Sequence, residues 1–89
     1  MRRDENEPEI VQALEAIGCT VFRLDFPCDL LVGYRARNFL IEVKDSGKSP
    51  SRRKLTETQV AFFKNWKGQV RKVETAEEAI KLVTEAYKK

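Results

Sequence analysis

The chain contains no histidine, which removes imidazole from acid–base catalysis and from metal ligation and excludes the histidine-bearing zinc fingers. Cysteine is almost as scarce. Cys19 and Cys28 match no zinc or redox spacing, and both read most simply as small core residues in a reducing, intracellular setting. No apolar run is long enough to span a membrane, and no signal peptide is recognisable. Charge of one sign does not dominate either: a formal +3 names no partner by itself. Eighty-nine residues suffice for one core of modest stability but not for separate catalytic and binding domains. A single domain without internal repeats therefore carries the function.

What is present centres on Asp29, Glu42 and Lys44, which read D-x12-E-x-K. Side chains two apart in a strand share a face, so Glu42 and Lys44 project together while Val43 points the other way. The apolar run from Asp29 to Tyr34 can fold back through the stretch Arg35 to Asn38. An even-length turn of two or four residues then puts Asp29 on the same face, about 5 Å from an opposed side chain. Ala36 speaks against the two-residue form, which needs positive φ and favours glycine there. Two carboxylates that close repel each other unless a proton or cation lies between them, and hard oxygen ligands beside a lysine suit Mg2+ better than zinc. A solvated Glu–Lys pair is the plainer reading of E-x-K alone. Its position behind Phe39-Leu40-Ile41 argues for more, because burying charge without a partner is costly.

Basic residues gather just downstream. From Lys44 to Lys54 there are five cations (Lys44, Lys48, Arg52, Arg53 and Lys54) against Asp45, in a stretch rich in turn residues and without periodicity. It reads as a mobile basic loop at 45–54, suited to phosphate contact or to plain solvation, and Arg35 and Arg37 add to that side.

Ile10, Val11, Leu14 and Ile17 recur at helical spacing before Gly18, predicting an amphipathic first helix that Gly18 stops. Asn6 and Glu9 have the spacing of a capping box, and Pro8 is tolerated in a first turn. On that helix Glu7 falls within about 20° of Leu14 on the apolar stripe, whereas Glu9 points about 140° away. Glu7 is thus the functional candidate and Glu9 a cap. Strands are predicted over 20–24, 29–34, 39–44 and 69–73. Between the last two, Thr56 and Gln59 form a second capping box ahead of Val60, Phe62, Phe63 and Trp66, with Gly68 as the stop. Those aromatics can stack on bases, but in so small a domain they are expected in the core. Thr75 to Glu78 caps a last helix bearing Ala79, Ile80, Val83 and Tyr87. The predicted order is α-β-β-β-α-β-α, an α/β fold with a mixed sheet flanked by helices.

These motifs resemble the PD-(D/E)XK nuclease superfamily. More narrowly, the chain is similar to the small stand-alone VRR-NUC domains, often phage-encoded, and to archaeal Holliday junction resolvases. The resemblance rests on Glu7-Pro-Glu-Ile-Val11, Asp29-Leu-Leu-Val-Gly33, Asn38-Phe-Leu-Ile-Glu-Val-Lys44, Leu55-Thr-Glu-Thr-Gln59 and Thr75-Ala-Glu-Glu-Ala79. It implies a restriction-endonuclease-like core. It also implies that Asp29, Glu42 and the Val43 carbonyl bind Mg2+ (Mn2+ as a substitute), and that Lys44 orients or stabilises the attacking hydroxide. Glu7 matches the first-helix glutamate, a possible further ligand. Gln59 matches a glutamine of the phage-type domains, a role its capping box explains equally well.

The superfamily sets proline immediately before the aspartate, whereas this chain reads Pro27-Cys28-Asp29, which makes Asp25 a reserve ligand. The implied protein is a structure-selective DNA endonuclease acting on branched DNA such as Holliday junctions or flaps. The nucleic-acid contacts expected of it come from Lys48, Arg52, Arg53, Lys54, Arg35 and Arg37. It would be a homodimer, since one chain offers one site, in the cytoplasm of a bacterial or phage-infected host cell. The alternatives are a non-catalytic nucleic-acid-binding module of the same fold and a structural or regulatory protein without a nucleic-acid partner.

Overall fold

The computed structural model describes residues 5–45, 47 and 54–85. Along the chain run α1 (Glu7–Ala16), β1 (Thr20–Arg23), β2 (Leu30–Tyr34), β3 (Arg37–Val43), α2 (Glu57–Asn65), β4 (Val70–Val73) and α3 (Ala76–Glu85), the predicted order. Tyr87, expected in the last helix, lies outside the described residues. The four strands form one sheet in the order β1-β2-β3-β4. Short links make β1, β2 and β3 an antiparallel meander. The connection through α2 returns the chain so that β4 runs parallel to β3, as a parallel neighbour requires a crossover. Among the described residues no helix is long and apolar enough to cross a membrane.

Alternation along the strands divides the sheet into two unlike faces. Leu30, Val32, Phe39, Ile41, Val43 and Val73 pack with Ile10, Val11 and Leu14 of α1 and Ala79 and Val83 of α3. The second face carries the row Phe22, Leu31, Leu40 and Val70, which are successive register partners. Glu42 lies on this face as well, two residues beyond Leu40.

Gly18 ends α1 as expected. It takes φ +103° and donates to the Glu15 carbonyl, while the Cys19 amide donates to that of Leu14. The other end differs from expectation. Asn6 is helical in backbone and its side chain makes no cap bond, so the Asn6–Glu9 capping box does not form. Its Nδ2 donates instead to the carbonyls of Lys44 at 3.1 Å and Glu74 at 2.9 Å. Two long-range acceptors outcompete the local one.

The hairpin also overturns an expectation. Tyr34 pairs with Arg37, which leaves a two-residue turn with Arg35 at φ 50° and Ala36 at φ 66°. Such a turn matches the twist of its flanking strands, and strand pairing imposes it despite the missing glycine. Ala36→Gly should therefore stabilise the fold by about 0.5–1 kcal/mol. That corresponds to a rise in Tm of roughly 2–8 °C for a domain of this size. An unchanged or lower melting temperature would show that the turn stores no such strain.

Two expectations about α2 fail together. Its Thr56–Gln59 capping box is present, but none of its residues is buried, so its aromatics are not core. Aliphatic side chains from α1 and α3 already fill the first face, and Phe62 instead stacks on Trp66 with centroids 5.2 Å apart. The helix closes before Gly68, with Trp66 already extended at φ −72°, ψ 128°. A Cβ at Gly68 would lie 2.6 Å from Trp66 Nε1. Glycine is there to admit the indole, not to stop the helix.

Candidate functional site

The Leu30↔Ile41 pairing, continued by one residue, sets Asp29 opposite Glu42. Asp29 itself stands just outside β2, which begins at Leu30, one residue later than predicted. Bonds across the sheet help to hold it there: its carbonyl accepts from the Leu24 amide at 2.7 Å, and its Oδ2 accepts from the Val43 amide at 2.8 Å. The shifted proline has not displaced this aspartate, which is 8% exposed, while Asp25 is exposed in the preceding segment. Glu42, 5% exposed, lies 3.2 Å from Lys44 Nζ through its Oε2. Lys44 stands one residue past the end of β3, which closes at Val43 and not at Lys44 as predicted, yet it meets Glu42 as the i, i+2 spacing predicts. In extended backbone the N–H and C=O of a residue face the same edge, so the Val43 carbonyl is turned towards the Asp29 side with its amide.

Two buried carboxylates and one ammonium sum to one negative charge. Cys28 is buried beside these carboxylates. Burial, then Glu42, then Asp29, push its thiol up to about 12 from an ordinary 9.0. At neutral pH it is a protonated, inert neighbour rather than a nucleophile. Between about pH 9 and about pH 12 the folded thiol keeps a proton that the unfolded one has lost, so stability falls as pH rises through that window. Cys28→Ala should have a flatter decline over the same range in denaturant unfolding. Parallel curves for variant and wild type would show that folding does not raise the Cys28 thiol.

Glu7 is 1% exposed, as its place on the helical stripe predicts, whereas Glu9 is exposed. Its Oε2 lies 3.0 Å from Arg23 Nε, and Arg23 pairs with Leu30, on the sheet face that α1 covers. Glu7 and Glu42 thus project from opposite faces. Among the described residues no group of three or more His, Cys, Asp or Glu side chains is placed to hold a metal ion. Gln59 is occupied by its capping box: its Oε1 accepts from the Thr56 amide at 3.1 Å, and its own amide donates to Thr56 Oγ1 at 3.2 Å.

Three of the six expected nucleic-acid residues, Lys54, Arg35 and Arg37, are described. Lys48, Arg52 and Arg53 lie outside the described residues, and Lys54 is exposed ahead of α2. Arg35 lies over the Tyr34 ring, 5.4 Å from its centroid. Arg37 opens β3, about 17 Å along the strand from Glu42 at ~3.3 Å per residue. Arg35 and Arg37 therefore belong to the end of the sheet far from Glu42 and Lys44.

Three residues near the site have roles that were not read from the sequence. Arg23 neutralises Glu7, and Asn6 ties the ends of β3 and β4 together. Lys72, the register partner of Glu42 on β4, adds a second cation on that face and lies 3.7 Å from Glu74. Only Lys72 had a local signal, through alternation in the fourth strand. No family model, curated protein or solved structure matches the chain.

Proposed function

We propose that the protein is a Mg2+-dependent endodeoxyribonuclease with a restriction-endonuclease-like core. The supporting observation is the set formed by the buried Asp29 and Glu42 with the half-buried Lys44, Asp29 being bonded by the Val43 amide. The donors fit the ion. They are hard oxygens, their charge exceeds that of Lys44 by one, and Mg2+ characteristically takes only one or two carboxylates and keeps its waters. Asp29 and Glu42 would hold it with the Val43 carbonyl. When bound, Mg2+ supplies Lewis acidity towards phosphate oxygens and a more acidic water.

The chain's own residues do the rest. Asp29 and Glu42 keep a fixed geometry because burial and the Val43 amide leave them few alternatives. Lys44 holds a positive charge beside Glu42, where the phosphodiester's developing negative charge needs preorganised compensation. Branched DNA, such as four-way junctions or flaps, is the proposed substrate. A panel of branched and linear DNAs incubated with the purified chain tests this, with preferential cleavage of the branched members expected. Binding without cleavage of any member would instead identify a nucleic-acid-binding module.

A further inference from the structure

On the second face of the sheet, cations and aromatic rings are set side by side. Lys44 and Lys72 stand beside Glu42. Leu40, two residues before Glu42, and Pro27, two before Asp29, line a groove of about 690 Å³ together with Phe26, Phe62 and Trp66. Its Leu40 wall is about 7 Å from Glu42 at ~3.3 Å per residue. Phe26 is 70% exposed and Trp66 46%. The Trp66 ring is held in place, because Phe62 stacks on it with an interplanar angle of 20° and Gly68 lacks the Cβ that would strike the indole. The amide side chains of Asn38 and Gln69 belong to residues of the same groove, where Gln69 Nε2 donates to the Asn38 carbonyl at 3.2 Å.

We infer that this groove takes one unpaired nucleobase of a DNA strand, an inference that rests on the nuclease reading for the place of the adjoining phosphate, at the Asp29–Glu42 site. Complementarity selects the occupant. A nucleotide carries its charge on the phosphate and, a few bonds away, a flat uncharged base. This face offers cations at Glu42 and fixed aromatic rings next to them. Stacking on a ring is open to every base, since each has a π-face. Amides that both donate and accept can meet a base edge. Inside a duplex a base has its faces covered by its neighbours, whereas an unpaired base at a junction, a flap or a single-stranded gap is free to turn into the groove. Preference for branched DNA then has a structural cause: extruding a base from an intact duplex costs free energy that an already unpaired base does not.

Trp66 is the only tryptophan in the chain, so its fluorescence reads the groove directly. The full chain is titrated in EDTA, which blocks metal-dependent cleavage, with single-stranded oligothymidylate and with an abasic strand of the same length. Both probes carry the same phosphates. Oligothymidylate should quench Trp66 and bind about 5- to 150-fold more tightly than the abasic strand, the range for stacking one base. By anisotropy of labelled strands, Trp66→Leu and Phe26→Ser should each bring the two affinities together while affinity for the abasic strand stays. Phe26→Ser should hardly move the melting temperature, since its ring is mostly exposed. Equal affinity of the wild-type chain for both probes, or a preference that both variants keep, overturns the inference. Equal affinity with a sedimentation mass of twice the chain that Phe26→Ser abolishes also overturns it, giving the groove to a second copy. Cleavage is a separate readout. Base preference in a chain that cleaves no DNA counts against the nuclease alone, and Mg2+-dependent cleavage without base preference counts against the groove alone.

Discussion

Glu42→Gln and Asp29→Asn should each reduce strand cleavage by at least about a hundredfold to a thousandfold, the range seen when one preorganised charge-stabilising group is lost. DNA affinity should be largely retained, because backbone grip comes from phosphate contacts and not from acidic side chains. The amides conserve volume, so the fold is not at risk from a cavity. In the Asp29→Asn variant the side-chain carbonyl can still accept from the Val43 amide, which isolates the loss of charge from the loss of position. Lys44→Ala should lower cleavage as well, and it has a second consequence. Without the ammonium 3.2 Å away, Glu42 is left in a buried site beside Asp29, and unpaired buried charge is destabilising. Single-turnover rates and fluorescence anisotropy on the same DNA separate the two effects. Near-wild-type turnover in freshly purified Glu42→Gln would show that the site is wrongly assigned.

The second large effect concerns stability. Arg23→Ala removes a cation 3.0 Å from Glu7, which is 1% exposed, and should cost about 2–3 kcal/mol. That is below the 3–5 kcal/mol of a fully buried pair, since Arg23 itself is half exposed and solvent screens its side of the interaction. A fall in Tm of roughly 8–24 °C follows for a domain of this length. Glu7→Gln should cost much less, because a neutral amide needs no counter-charge and can still accept from the guanidinium. Combining the two substitutions should therefore recover part of the Arg23→Ala loss. Glu9→Gln, on the exposed side of α1, should be silent in both stability and cleavage. Additive losses in the double variant would dissolve the Glu7–Arg23 coupling, and equal effects of the Glu7 and Glu9 substitutions would remove the helix-face argument.

The features that could be read from sequence are those whose causes are local. The stripe formed by Ile10, Val11 and Leu14, with Gly18 after it, needs only helical periodicity and a left-handed C-terminus. The Thr56–Gln59 box closes within four residues, and the shared face of Glu42 and Lys44 follows from strand alternation. What escaped depends on partners distant in the chain. Asn6 has the composition of a cap, but the carbonyls it serves are 38 and 68 residues away. Arg23 acquires its role only when β1 is laid under α1.

The tight hairpin is not legible at Ala36 because φ preference is local, whereas the register that pairs Tyr34 with Arg37 decides the turn. The aromatics of α2 were misplaced for a related reason. Side-chain size suggests a core, but α1 and α3 together leave no room on the face they cover. Only the assembled sheet shows that Trp66 and its neighbours border an open surface.

Whether Asp29 and Glu42 form a metal-dependent hydrolytic site is decided most directly by single-turnover cleavage of a labelled four-way junction. Freshly purified wild-type chain is compared with Mg2+ and with excess EDTA, alongside Glu42→Gln. Cleavage products should appear only for the wild-type chain with Mg2+. Products that persist in EDTA, or that form equally with Glu42→Gln, would contradict the account.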